Sequence, residues 1–258
     1  MRNSPLLIER DGPVLVIGLD RPEKRNALND AIVAALDQTF SNLPADARAV
    51  LLHATGPNFS AGLDLSELAE RDAHQGVLHS RGWHACFEKI EFGPLPVVAA
   101  LRGAVVGGGL ELAAAAHVRV AERSAFYALP EGQRGIFVGG GGSVRLPRLI
   151  GASRMMDMML TGRVYTAEEA APLGFAQYLV DDGAAYEKGL ALAHKMAGNA
   201  PLTNFAVIQA LPRIAEADPR TGYVMESLMA AVAQQAPEAK ARMRAFLDKR
   251  AAKVERPD

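Results

Sequence analysis

In the first half of the chain, short β-rich runs alternate with helical ones, and three of those runs end in glycine- or acid-bearing loops. Val14-Leu15-Val16-Ile17-Gly18-Leu19 reads as a strand, and the polar turn Arg21-Pro22-Glu23-Lys24-Arg25-Asn26 follows it. Asn29 or Asp30 is placed to cap a helix whose apolar positions Ile32, Leu36, Phe40 and Leu43 share a face. Ala49-Val50-Leu51-Leu52-His53 and Pro96-Val97-Val98-Ala99-Ala100-Leu101 are further strands, with residues 66–90 between them expected to be mostly helical. A helix is expected to start at Gly108 or Gly109, and strands at 117–121 and 126–129. This alternation predicts an α/β core of strand-helix units. From residue 143 onward helices dominate, over 143–150, 152–161, 166–173, 183–198, 202–216, 221–235 and 237–250, with one short strand at 175–180. The expected organisation is an α/β core over 1–200 and a helical C-terminal region over 201–258.

Chemistry concentrates in three segments that directly follow strands, where a parallel sheet presents its loops to ligand. They are Asn58-Phe59-Ser60-Ala61-Gly62-Leu63-Asp64-Leu65, Gly107-Gly108-Gly109-Leu110-Glu111-Leu112, and Ala128-Leu129-Pro130-Glu131. A glycine triplet entering a helix lets backbone N–H groups approach a ligand closely. The helix N-terminus adds positive partial charge suited to an oxyanion. Taken alone, the triplet reads first as a tight turn with close helix packing and second as an anion site, Glu111 reads first as a partner for the helix dipole, and Glu131 reads as a solvated loop carboxylate. The triplet is not GxGxxG and no Gly-Lys-Ser/Thr follows it, so nucleotide motifs fail.

Other function classes are bounded by composition. The net charge of -1 gives no field to draw the chain to nucleic acid or an anionic membrane. No uncharged apolar run approaches the ~20 residues that span a bilayer. Arg2, Glu9, Arg10 and Asp11 bracket too short an apolar stretch for a secretory signal, so the expected location is cytoplasmic. Cys86 is the single cysteine, so an intrachain disulfide is impossible. The six histidines form no HExxH motif, so no metal is expected. No G-x-S-x-G nucleophile elbow is present either.

Read together, the segments resemble the crotonase (enoyl-CoA hydratase/isomerase) superfamily. Phe59 to Leu65, Gly107 to Leu112 and Leu129-Pro130-Glu131 match its pattern in order and spacing. So do Asp20-Arg21-Pro22 with Asn26-Ala27-Leu28, Leu160-Thr161-Gly162-Arg163 with Glu169-Ala170, and the tail Ala245-Phe246-Leu247-Asp248-Lys249-Arg250. The resemblance implies a stacked ββα spiral core with a helical C-terminal trimerisation region, assembled as a homotrimer or homohexamer. It implies an acyl-CoA thioester as substrate and no separate cofactor. It makes the N–H groups of Leu63 and Gly108 the donors to the thioester oxygen, and Glu111 and Glu131 the pair that activates water and protonates carbon. Around the CoA it places Arg25 and Ala27 beside the phosphates and pantetheine, and Ala61, Asp64 and Leu65 near adenine. Phe246 and Lys249 are placed to reach a neighbouring subunit's CoA.

Isomerases and hydrolases of the superfamily often keep only one of the two glutamates, so the intact pair favours hydration of an enoyl-CoA. Some homologues bind RNA, which would predict a basic stripe with exposed aromatics. A non-catalytic homologue would be expected to lose the glutamates. The chain departs from the family pattern at Arg102 and His117, and Gly139-Gly140-Gly141-Gly142-Ser143 predicts a mobile or roomy loop beside Glu131. The stretches 130–139 and 79–84 are similar to those of the (methylthio)acryloyl-CoA hydratase branch, with Trp83 and His84 either lining the acyl pocket or belonging to the core.

Overall fold

The computed structural model describes residues 4–67, 71–248 and 250. The chain divides into two compact units, Met1–Ala197 and Gly198–Asp258. Within the first unit the strands are β1 (Leu6–Asp11), β2 (Val14–Leu19), β3 (Ala49–Ala54), β4 (Val97–Leu101), β5 (Ala104–Val106), β6 (Val118–Glu122), β7 (Phe126–Ala128), β8 (Tyr165–Thr166) and β9 (Tyr178–Val180). Its helices are α1 (Asp30–Ser41), α2 (Ala73–Glu91), α3 (Gly108–Ala115), α4 (Gly142–Ile150), α5 (Ala152–Thr161), α6 (Ala167–Ala170) and α7 (Ala185–Ala197).

Six strands form one sheet in the order β1-β2-β3-β4-β6-β9, parallel except for the β1–β2 hairpin. The strands β5, β7 and β8 form a second, smaller sheet. The chain steps repeatedly from the large sheet to the small one and then into a helix: β4, β5, α3, and again β6, β7, α4. The same step is taken after β3, where Ser60 pairs in parallel with Val105 before α2 begins. Each turn of this ββα spiral therefore ends in a loop on the same small sheet, and those loops carry the three chemistry-bearing segments.

Strand periodicity explains why the central strands read as unbroken apolar runs. Val14, Val16, Ala49, Leu51, Val98 and Ala100 bury one face under α7, against Ala185, Leu192, Ala193 and Ala197. Their alternates Leu15, Ile17, Val50, Leu52, Val97 and Ala99 face the main core with Ile32, Leu36 and Phe87. Covering both faces removes any polar alternation.

Several elements differ from expectation. The strand β1 escapes a hydrophobic reading because it is an edge strand whose Glu9, Arg10 and Asp11 are exposed. α2 starts at Ala73, not at Ser66, because the Asp72 side chain accepts from Gln75 N–H and Gln75 answers to the Asp72 N–H, a capping box. The last strand shortens to β9. The second unit holds α8 (Pro201–Phe205), α9 (Leu211–Glu216), α10 (Pro219–Gln235) and α11 (Pro237–Leu247). The single helix expected over 202–216 carries a wider π turn at Ala206–Ala210. Pro212 has no N–H to return to Ile208, which accounts for the interruption.

Candidate active site

The loop after β3 is fixed by backbone bonds on both sides. Ser60 N–H donates to Ala104 O and Val106 N–H to Ser60 O, joining it to β5. On the other side Leu28 N–H donates to Gly62 O at 2.7 Å and Asp64 N–H to Leu28 O at 2.8 Å. Because Leu28 takes both bonds from the residues flanking Leu63, the Leu63 N–H points away from Leu28. It faces the entrance of α3, where a Cβ on Gly62 would lie 3.4 Å from Gly108 N. Gly108 is the first residue of α3, so no carbonyl of its own helix reaches its N–H. Two backbone donors thus stand side by side on one cavity.

Asn26 locks the neighbouring turn to this loop. Fully buried and in the left-handed region at φ 53°, it donates from Nδ2 to Thr55 O and Asn58 O, both at 2.8 Å. The Ser60 hydroxyl donates back to Asn26 O at 2.8 Å, and Ala61 N–H to Arg25 O. The family-like Asn26-Ala27-Leu28 segment is therefore a staple between two loops.

The two glutamates meet the same cavity of about 440 Å³ as Leu63 and Gly108. Glu111, on α3, is 3% exposed, and its Oε1 accepts from Gly142 N–H at 2.7 Å and Gly140 N–H at 2.9 Å. Glu131, in the turn after β7, is 8% exposed, and its Oε2 has no partner among the described residues. Burial pushes both carboxyls above the ordinary carboxylate range. The N–H groups of Gly142, Gly140 and Gly139 and the charge of Arg145 oppose that rise at Glu111. At Glu131 the opposing influences are its own backbone N–H and Arg134, while the charge of Glu111 adds to the rise. The arrangement is one carboxylate held rigidly by donors beside a second with a bare oxygen.

The glycine run is the reverse of the roomy loop expected from its composition. Residues 140–142 are buried. A Cβ on Gly140 would meet Phe87 at 3.1 Å and Glu111 Oε2 at 3.2 Å, and one on Gly142 would meet Glu111 Cγ at 2.8 Å. A Cβ on Gly141 would collide with the Arg145 guanidinium. Glycine is required here because two charged side chains pack against the backbone.

An adjoining pocket of about 310 Å³ brings together Arg25, Ala27, Ala61, Asp64 and Leu65 with Lys24 and Arg134, and shares Ala61, Leu63, Leu65 and Arg134 with the first cavity. The Asp64 carboxylate is turned into its own loop, accepting from the Ser66 hydroxyl at 2.6 Å and from Arg21 at 3.1 Å. The Ser66 hydroxyl is the main cause holding it below the usual carboxylate range. Phe246 lies on α11 in the second unit, exposed. Lys249 lies outside the described residues. From α2, His79, Ser80 and Trp83 line the first cavity, and a Cβ on Gly108 would touch the Trp83 ring at 3.0 Å. Trp83, 5% exposed, belongs to both core and pocket wall. His84 stands behind Ser80, 3.3 Å from its hydroxyl. Sequence reading missed Arg145, whose burial carries no sequence signal.

Comparison with known proteins places the chain in a family. Residues 9–257 match the family model described as enoyl-CoA hydratase/isomerase. The 2,3-dehydroadipyl-CoA hydratase of Escherichia coli K12 is 33% identical, over 96% of this chain and 97% of its own. The short-chain-enoyl-CoA hydratase of Clostridium acetobutylicum is 29% identical, over 97% of each. A crystal structure from Rhodopseudomonas palustris CGA009, provisionally named an enoyl-CoA hydratase, is 65% identical with a TM-score of 0.94, covering 97% of each chain. The ββα spiral is thus the crotonase fold, and the chain belongs to the enoyl-CoA hydratase/isomerase family.

Proposed function

We propose that the chain is a hydro-lyase that adds water across the α,β-double bond of an enoyl-CoA thioester. The carrying observation is that two buried carboxylates and two adjacent backbone N–H groups converge on one cavity. In this reading the thioester oxygen accepts from Leu63 and Gly108. Negative charge grows on that oxygen as water attacks the β-carbon, and preorganised donors lower the barrier; losing one such donor costs ~10²–10³ in rate. Glu111, kept in place by Gly140 and Gly142, orients and activates the water as the ionised partner. Glu131, with its bare Oε2, delivers the proton to the α-carbon. The pair titrates as a unit, because burial and mutual repulsion disfavour two charges there.

The CoA moiety of the substrate would occupy the adjoining pocket, with Lys24, Arg25 and Arg134 near its phosphates. The reading needs no cofactor beyond that substrate. It also takes the enzyme to be a cytoplasmic homotrimer or homohexamer, with Phe246 and Lys249 reaching a neighbouring subunit's CoA.

A finer reading makes the substrate (methylthio)acryloyl-CoA. It draws on the cavity wall, where His79, Ser80 and Trp83 face Ile136, Phe137 and Gly139. A thioether would find a polarisable contact on the Trp83 ring. Hydration of that substrate yields a hemithioacetal carbon that can expel methanethiol. The test is loss of the enoyl-thioester absorbance with crotonyl-CoA and (methylthio)acryloyl-CoA in parallel, with a thiol reagent present. Loss with crotonyl-CoA and no thiol release supports a plain hydratase. Faster loss with the sulfur substrate and thiol release supports the finer reading. Loss with neither contradicts hydration of these two acyl groups and leaves isomerisation or thioester hydrolysis on the same scaffold.

A further inference from the structure

Arg145, on α4, is buried at 6% exposed and makes two bonds in different directions. Its Nε donates to Glu91 Oε2 at 2.5 Å, and its Nη1 donates to Gly140 O at 2.9 Å. Gly140 in turn donates its N–H to Glu111 Oε1 at 2.9 Å. One glycine is therefore held from both ends, by an arginine at its carbonyl and a glutamate at its N–H. Glu91 closes α2, whose Phe87 packs over the same glycine. It is also tied through its own backbone oxygen, 3.1 Å from His117 Nε2. The His117 ring accepts from Val97 N–H through Nδ1 at 2.9 Å, so Nε2 carries the proton and donates to Glu91 O. This gives a continuous chain from β4, through His117, Glu91, Arg145 and Gly140, to Glu111.

A run of four glycines has wide backbone freedom, and a carboxylate oriented by its N–H groups is only as fixed as they are. We infer that Arg145 and Glu91 are positioning residues for the reaction: their ion pair clamps the Gly140 backbone and so fixes the Glu111 carboxylate in its water-activating orientation. The inference rests on the hydratase reading of Glu111. Arg145 suits the task because its planar fork serves two acceptors at once, which a lysine ammonium on a flexible stem does less well. The positive charge of Arg145 also favours the ionised form of Glu111, the form that activates water.

The experiment is steady-state hydration of the enoyl-CoA that the parent enzyme turns over fastest, measured for Arg145→Met, Arg145→Lys and Glu91→Gln, each alone and combined with Glu111→Gln. Misplacing a catalytic group by about an ångström costs on the order of 10²-fold. The expected result is a kcat loss of ~100-fold for Arg145→Met and ~10-fold for Glu91→Gln, with Arg145→Lys between them and KM within about threefold of the parent. In the Glu111→Gln background the same changes add no further loss, since their effect runs through Glu111. A folded Arg145→Met enzyme with kcat within about twofold of the parent overturns the inference. So does a loss that multiplies with that of Glu111→Gln. If Arg145→Met does not fold, Glu91→Gln decides by the same criteria. Parental turnover in Glu111→Gln itself, or a parent that hydrates no enoyl-CoA, overturns the hydratase reading and the inference with it.

Discussion

Glu131 Oε1 occupies the space that a side chain at position 107 would need, 2.5 Å from where a Cβ on Gly107 would stand. The two are brought together by the β5–β7 pairing, which ends in a bond from Gly107 N–H to Ala128 O, three residues before Glu131. Gly107 also has φ of +51°, where a side chain is strained. Gly107→Ala is expected to cut turnover by ~100-fold through displacement of Glu131, and to cost about 1–3 kcal/mol in stability. Kinetics and thermal melts of the variant check both; turnover within threefold of the parent would show that Glu131 can move without consequence.

Because burial raises the Glu131 carboxyl, the folded state holds its proton to higher pH than the unfolded chain does. Its contribution to stability is therefore full below about pH 4 and is lost as pH rises through the raised value. Glu131→Gln removes that loss. The variant is expected to melt above the parent at pH 8, with the gap closing as pH is lowered towards 4, as read by differential scanning calorimetry across that range. A variant that melts lower than the parent at pH 8 contradicts this account.

Trp83 lines the cavity with its ring packed against the Gly108 backbone, beside the proposed thioester seat. Trp83→Ala is expected to cost about 3–5 kcal/mol in stability while raising the ratio of kcat/KM for 2-octenoyl-CoA over crotonyl-CoA. Trp83→Phe keeps most of the volume and should leave the ratio nearer the parent's. An unchanged ratio in both variants would place the acyl chain elsewhere.

Much of this was legible in the chain itself. The run 14–19, the helix cap expected at Asn29 or Asp30 and found at Asn29, and the glycine triplet opening a helix each combine a local propensity with a local signal. The mostly helical character expected over 66–90 is there, and its start at Ala73 is set by the Asp72–Gln75 capping box, a pair that stands in the sequence itself. Other features have no local signature. β5 is three residues long and exists because it pairs with β7. The Asp64 carboxylate is held by Ser66 within its own loop, but its other partner, Arg21, is 43 positions away in sequence and leaves no mark in that loop. The glycine run looked loose because glycine is permissive; it is tight because Glu111 and Arg145 press on it from separate helices.

The central claim is that Glu111 and Glu131 act together to add water across a conjugated thioester. Crotonyl-CoA incubated with the enzyme in ¹⁸O-labelled D₂O, followed by mass spectrometry and proton NMR, tests it most directly. The account predicts one ¹⁸O at the β-carbon and one deuterium at the α-carbon, with the thioester intact, and loss of both labels in Glu111→Gln and Glu131→Gln. Label in a free carboxylate with release of CoA would mean thioester hydrolysis, and deuterium at carbon with no ¹⁸O would mean isomerisation; either result contradicts hydration.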